Sequence, residues 1–178
     1  MSRHQHVRLM ASYNAWMNAK LLEAALELPE AELIANKKAF FGSILGTLNH
    51  LVVADTIWLN RFASHPARYS ALEPLVSLPM PDTLDQMVCP DIFSLQARRK
   101  LLDDIILDWA DAVTEADLDY VLHYANTKGI PADKNFYSLV MHFFNHQTHH
   151  RGQITTLLYQ VGIDMGITDL VALIPDEL

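Results

Sequence analysis

Four of the chain's nine histidines fall within residues 142–150. They belong to the stretch FYSLVMHFFNHQTHHRGQITTLLYQV, from Phe136 to Val161. Imidazoles crowded in this way suit metal binding, and helical phase sorts them. Positions 143, 146, 150, 154, 157 and 161 advance in steps of three and four and carry Phe, His, His, Ile, Leu and Val. They form one core-facing stripe. Positions 142, 145, 149, 153, 156 and 160 carry His, Asn, His, Gln, Thr and Gln, which is a polar stripe. His146 and His150 therefore point inward, while His142 and His149 lie nearer solvent or an interface. Two imidazoles at i and i+4 on one helix face can share a metal ion. A third ligand must come from another helix.

His50 is the candidate for that third ligand. In residues 43–63, Leu45, Leu48, Val52, Trp58, Leu59 and Phe62 make one apolar face, and Gly46, Val53, Ala54 and Ile57 make another. A helix apolar on most sides is packed on most sides, so His50 is buried and needs a polar partner. A backbone carbonyl would serve as well as a metal, and on the residues alone the two readings stand about even. A mononuclear site of three neutral imidazoles leaves a fourth position open, as catalytic sites do. Such a metal lowers the pKa of bound water or polarises an oxygen or sulfur ligand. Its identity stays open, because imidazole suits zinc, nickel, iron and copper alike. A ferritin-like di-iron set would need inward glutamates and Glu-x-x-His pairs, which these two helices lack. The zinc-protease motif fails because Gln147 stands where its glutamate would be.

The elements that must position these residues follow in chain order. Residues 4–28 read as a first helix with a stripe of Met10, Tyr13, Met17, Leu21, Ala24 and Leu28, ended by Pro29. Ser43 is a good N-cap for the second helix. Residues 64–91 hold five of the eight prolines and form a long connection, with a helical turn expected at Thr83–Met87 under a capping box of Thr83 and Gln86. Asp91 can cap a third helix over about 92–116. Leu101, Leu102, Ile105, Ile106, Trp109 and Val113 line its apolar stripe. Arg98, Arg99, Lys100, Asp103, Asp104 and Asp108 read as its solvated face. Leu118–Ala125 alternates with period two and suggests a strand, with a turn at Asn126–Gly129 and a brief return strand. His123 falls there, at the surface. Gly162 stops the last long helix, and the tail GITDLVALIPDEL, from 166 onward, is apolar enough to pack as a short final helix. The expected architecture is an all-α four-helix bundle, one domain over 1–178, with a long second crossover connection and a small hairpin-like insertion before the last long helix.

Composition bounds the function. The 13 basic and 21 acidic residues give a formal charge of −8, which argues against nucleic-acid binding and offers no basic patch for a lipid surface. Cys89 is the single cysteine, so no intrachain disulfide forms. A cytoplasmic setting is expected, since no signal-peptide pattern or transmembrane run is seen. Cys89 itself reads as a bystander, with nothing near it to lower its pKa.

The blocks Asn49-His50-Leu51, Asp55-x-x-Trp58-Leu59 and Phe144-Asn145-His146-x-x-x-His150-Arg151-Gly152-Gln153 resemble the DinB/YfiT-like family. Tyr13-Asn14-Ala15-Trp16 and Tyr124-x-Asn126-Thr127-x-Gly129 are similar to it as well. This is the damage-inducible bundle family, not the DNA polymerase that shares the name. The resemblance implies a four-helix bundle, a homodimer, and a divalent metal on His50, His146 and His150, the three that helical phase selects. It also implies a low-molecular-weight thiol cofactor, as some relatives resemble bacillithiol-, mycothiol- or glutathione-dependent transferases and isomerases.

The expectation is a metal-dependent enzyme, holding zinc, nickel or iron, that activates water or a small thiol for transfer to, or hydrolysis of, a small electrophilic substrate. The rival is a non-catalytic, stress-associated metal-binding dimer. Other residues carry open readings. Asp55 is expected to play a supporting structural part. Arg151 is expected either to bind substrate or to form a surface or dimer salt bridge. Gly152 is expected where helices pack closely, and Asn14 can reach the pocket from the first helix.

Overall fold

A computed structural model describes residues 1–176. The helices are α1 (Arg3–Leu26), a short α2 (Glu30–Ile34), α3 (Ile44–Phe62), α4 (Ile92–Ala112) and α5 (Phe136–Gln160). The four long ones start on side-chain caps, which satisfy backbone N–H groups that have no partner within the helix. Ser2 and Gln5 form a capping box on α1. Ser43 accepts from Gly46 N, Asp91 from Phe93 and Ser94 N, and Asn135 from Ser138 N. At the end of α5, Gly162 has φ 89°. Its N–H donates to Tyr159 O and that of Ile163 to Leu158 O, both at 3.0 Å, which is a Schellman stop.

α1 packs against α4 and α5, and α3 packs against the same two. α1 and α3 therefore stand at opposite corners of the bundle. Phe62, Trp109, Phe136, Phe143 and Phe144 fill the interior, with Phe62 stacked on Trp109 at 5.2 Å between ring centroids. β1 (Val121–Ala125) and β2 (Pro131–Asn135) form the expected antiparallel hairpin before α5. None of the described helices is long and apolar enough to cross a membrane. Residues 177 and 178 of the expected domain lie outside the described residues.

Three local expectations change. Residues 83–87 make only one loose turn, closed by Gln86 N to Thr83 O at 3.4 Å, and the capping box does not form, because Gln86 Oε1 turns instead to Asp82 N at 2.6 Å. The ordered turns of that connection are 3-10 helix at Ser70–Ser77, anchored by buried Leu72 and Leu75. α4 stops at Ala112 because Val113 is extended and Asp117 Oδ2 captures Thr114 N at 2.8 Å.

Gly152 does not mark close packing. It is exposed, and a Cβ there would meet nothing within 4 Å. The close approach is at Gly46, where a Cβ would lie 2.2 Å from Phe41 O. Gly46 thus seats the loop that carries Phe41 onto α3. Gly152→Ala should raise stability by about 1 kcal/mol, and Gly46→Ala should lower it by about 1–3 kcal/mol through overpacking. Urea denaturation of both variants checks this, and a Gly46→Ala protein as stable as wild type would contradict the contact.

Candidate metal centre

His50 on α3 and His146 and His150 on α5 come together. Each offers a ring nitrogen, and these atoms lie within 4.8 Å of one another. His50 Nε2 and His146 Nε2 are 3.2 Å apart. Zinc–nitrogen bonds of about 2.0–2.1 Å in a tetrahedron put ligand nitrogens about 3.3 Å apart. The pair therefore has the spacing of a coordination edge.

Hydrogen bonds set the tautomers. Leu84 O, an acceptor only, lies 2.8 Å from His50 Nδ1. The proton is on Nδ1, and Nε2 is left with a lone pair facing the cluster. His150 Nδ1 donates to Gln153 Oε1 at 2.8 Å in the same way. The amide of Gln153 is in turn held with Nε2 toward His149 Nε2, at 3.3 Å. Phe41 stacks on His50 at 3.8 Å and meets His150 edge-on at 5.6 Å. Burial lowers the pKa of all three imidazoles. His146 falls to about 3, with burial first and the neighbouring imidazoles adding to it. All three are neutral at physiological pH, which is the ligand form. This donor set fits a divalent ion.

Among the described residues, no other histidine joins the three-nitrogen cluster. His142 and His149 are exposed, as phase requires. His123 is exposed on β1, 2.7 Å from Asp133. Cys89 is buried, and burial raises its pKa.

Behind the histidines lies a polar network that residue type alone misassigns. Arg99 and Asp103 belong to no solvated face: both are buried, while Lys100, Asp104 and Asp108 are exposed. Arg99 donates to Asp55 at 2.5 Å, and its other terminal nitrogen lies 3.1 Å from Asp103. Asp55 also accepts from Gln147 Nε2 at 2.6 Å. Asp103 accepts from Asn18 at 2.8 Å and from Asn14 at 3.3 Å. Arg151 makes no surface salt bridge. It is 2% exposed and donates to Asn14, Gln147 and Thr148. Asn14 thus joins this network, and Asp55 has the supporting place expected of it. Burial pushes the Asp55 carboxyl up to about 6 against the pull of Arg99, and lowers Arg151 to about 10. Burial also raises the Asp103 carboxyl against the pull of Arg99, and the two carboxyl groups stand against two guanidiniums. Phase could have found Arg99: it follows Leu95 by four and precedes Leu102 by three and Ile106 by seven, all buried.

A cavity of about 240 Å³ reaches His50 and His146, walled by Trp58, Arg61, Tyr124 and His142. It shares Ile57, Arg61, Leu84, Tyr124, Asn126 and Thr127 with a larger one of about 630 Å³. The cleft thus runs from the histidines past α3, the 63–91 connection and the hairpin turn.

A model of the DinB family matches residues 1–176. Among characterised proteins, the chain is 25% identical over 159 residues to Protein DinB of Bacillus subtilis (strain 168), covering 88% of this chain and 87% of that one. No solved structure matches.

Removing one member of a neutral buried set strands the others. Arg99→Met should cost about 3–5 kcal/mol of stability. Lys100→Met, which removes only an exposed i,i+4 pair with Asp104, should change it by less than about 1 kcal/mol. Chemical denaturation of the two variants side by side gives the comparison, and similar losses would mean that the network is not coupled.

Proposed function

The chain belongs to the DinB family, and on that premise we propose that His50, His146 and His150 hold a divalent zinc, nickel or iron ion in a metal-dependent enzyme. Its reaction would be transfer to, or hydrolysis of, a small electrophilic substrate, with water or a low-molecular-weight thiol as the attacking partner. The observation that carries this is the preset cluster: three neutral imidazoles on two helices, two with their protons fixed on Nδ1. A metal bound there supplies Lewis acidity, which lowers the pKa of a coordinated water or thiol. The chain's own residues do the rest. Leu84 O and Gln153 hold the ring protons away from the cluster. Phe41 covers His50 and borders His150. The cavity gives a small molecule its approach to His50 and His146.

One observation favours the rival, a non-catalytic, stress-associated metal-binding dimer. The acid closest in sequence to a ligand, Asp55, is committed to Arg99 and Gln147 and does not line the cavity. No carboxylate lines the cavity beside the histidines among the described residues. A homodimer, which rests on the family resemblance, and a cytoplasmic setting, which rests on the sequence pattern, belong to the same proposal; light scattering tests the dimer.

Elemental analysis of the purified protein should show near-stoichiometric metal, lost in each of His50→Ala, His146→Ala and His150→Ala. Full occupancy in His150→Ala would overturn the ligand set. Gln153→Ala should bind zinc about tenfold or more weakly while keeping its fold, because it frees the His150 ring. Reversible binding of a hydroxamate or thiol to the loaded protein supports an open coordination position. A metal that resists chelators and accepts no added ligand would leave only the rival.

A further inference from the structure

Arg61 is a half-buried cation in the last turn of α3. It lies over the ring of Trp58 at 4.5 Å and over that of Tyr124 at 5.1 Å. Among the described residues no carboxylate forms an ion pair with it, although the chain carries 21 acids against 13 basic residues. The other buried arginines, Arg99 and Arg151, are each held by hydrogen bonds. Ring faces take the π side of a guanidinium and leave its in-plane N–H donors free. Arg61 lines both parts of the cleft, together with Asn126 and Thr127 of the hairpin turn, and Asp82 lines the larger part without forming an ion pair with it. The smaller part also contains His50 and His146.

We propose that Arg61 is the recognition point for a carboxylate on the small molecule that occupies this cleft, with Trp58 and Tyr124 holding the guanidinium in place. The inference rests on the proposed metal site for its setting, because the carboxylate would be held while another part of the ligand approaches His50 and His146. Guanidinium is suited to this task, since its fork matches the two oxygens of a carboxylate. Burial is not prohibitive for the cation, because the aromatic rings stabilise it while the cleft is empty. The carboxylate belongs either to the thiol or to the electrophile, and paired probes separate these sources.

The first arm compares 3-mercaptopropionate with 3-mercaptopropanol on zinc-loaded protein by calorimetry. The second compares 3-phenylpropionate with 3-phenylpropanol on both loaded and metal-free protein, following the Arg61 Nε resonance by NMR. In at least one arm the acid should bind about tenfold or more tightly than its alcohol, the size of one charge-assisted hydrogen bond. Arg61→Gln should erase that preference and leave the alcohol's affinity unchanged, and Arg61→Lys should restore part of it. Preference in the first arm assigns the carboxylate to the thiol, and preference in the second assigns it to the electrophile. Equal binding of acid and alcohol in both arms, or a preference that survives Arg61→Gln, overturns the proposal. A protein that takes up no zinc fails the metal reading alone, because acid and alcohol can still be compared on the metal-free protein and its Arg61 variants.

Discussion

Charge buried in a protein interior must be cancelled where it lies, and this bundle is arranged around one such cancellation. Each long helix contributes: Asn14 and Asn18 from α1, Asp55 from α3, Arg99 and Asp103 from α4, and Gln147 and Arg151 from α5. An uncompensated ion there costs several kcal/mol. Sliding any one helix by a turn would strand a charge, whereas an all-leucine seam would tolerate the shift more easily. The net therefore fixes the register of the four helices. Gln147 and Arg151 each directly follow a clustered histidine in sequence. The register that satisfies the charges is thus the one that brings His146 and His150 opposite His50.

Much of this is legible in the chain itself, because a helix carries its phase in its sequence. The stripe through Phe143, His146, His150 and Ile154 separates inward from outward histidines. Ser43, Asp91 and Gly162 mark helix ends where the structure has them. The hairpin is visible in the alternation before Asn126. The failures are equally specific. Residue type assigns Arg99 and Asp103 to solvent, although they continue the buried phase of Leu95 and Leu102. On α1 the expected stripe is buried at Tyr13, Met17, Leu21 and Ala24, and beside it a second buried line runs through Val7, Ala11, Asn14 and Asn18. Polar residues that replace apolar ones at core positions are hidden from a reading that follows hydrophobicity alone.

Irregular segments are the other blind spot. Phe41 and Leu84 touch His50 from loops whose path depends on tertiary packing. Leu84 acts through its carbonyl, so no side-chain pattern could reveal it. Phe41 is placed by the missing side chain of Gly46, which helical phase counts only as a small residue on an apolar face. Gly152 shows the converse. Its exposed position on α5 holds no contact that its lack of a side chain would explain, and the structure offers no reason for glycine there.

The hydrogen bond from His50 to Leu84 joins two regions of different character. The clustered histidines stand on rigid helices, while most of the cleft's outer wall comes from the 63–91 connection and the hairpin turn, the kind of segment that accepts insertions and substitutions most readily. Ligand preference can therefore diversify through those loops while the helical frame stays constant, much as interchangeable tools fit one handle. Leu84 is where that freedom is restricted. Its backbone belongs to the variable wall and also fixes a ring proton on His50, so changes that alter the wall are filtered by whether they keep this one carbonyl in place.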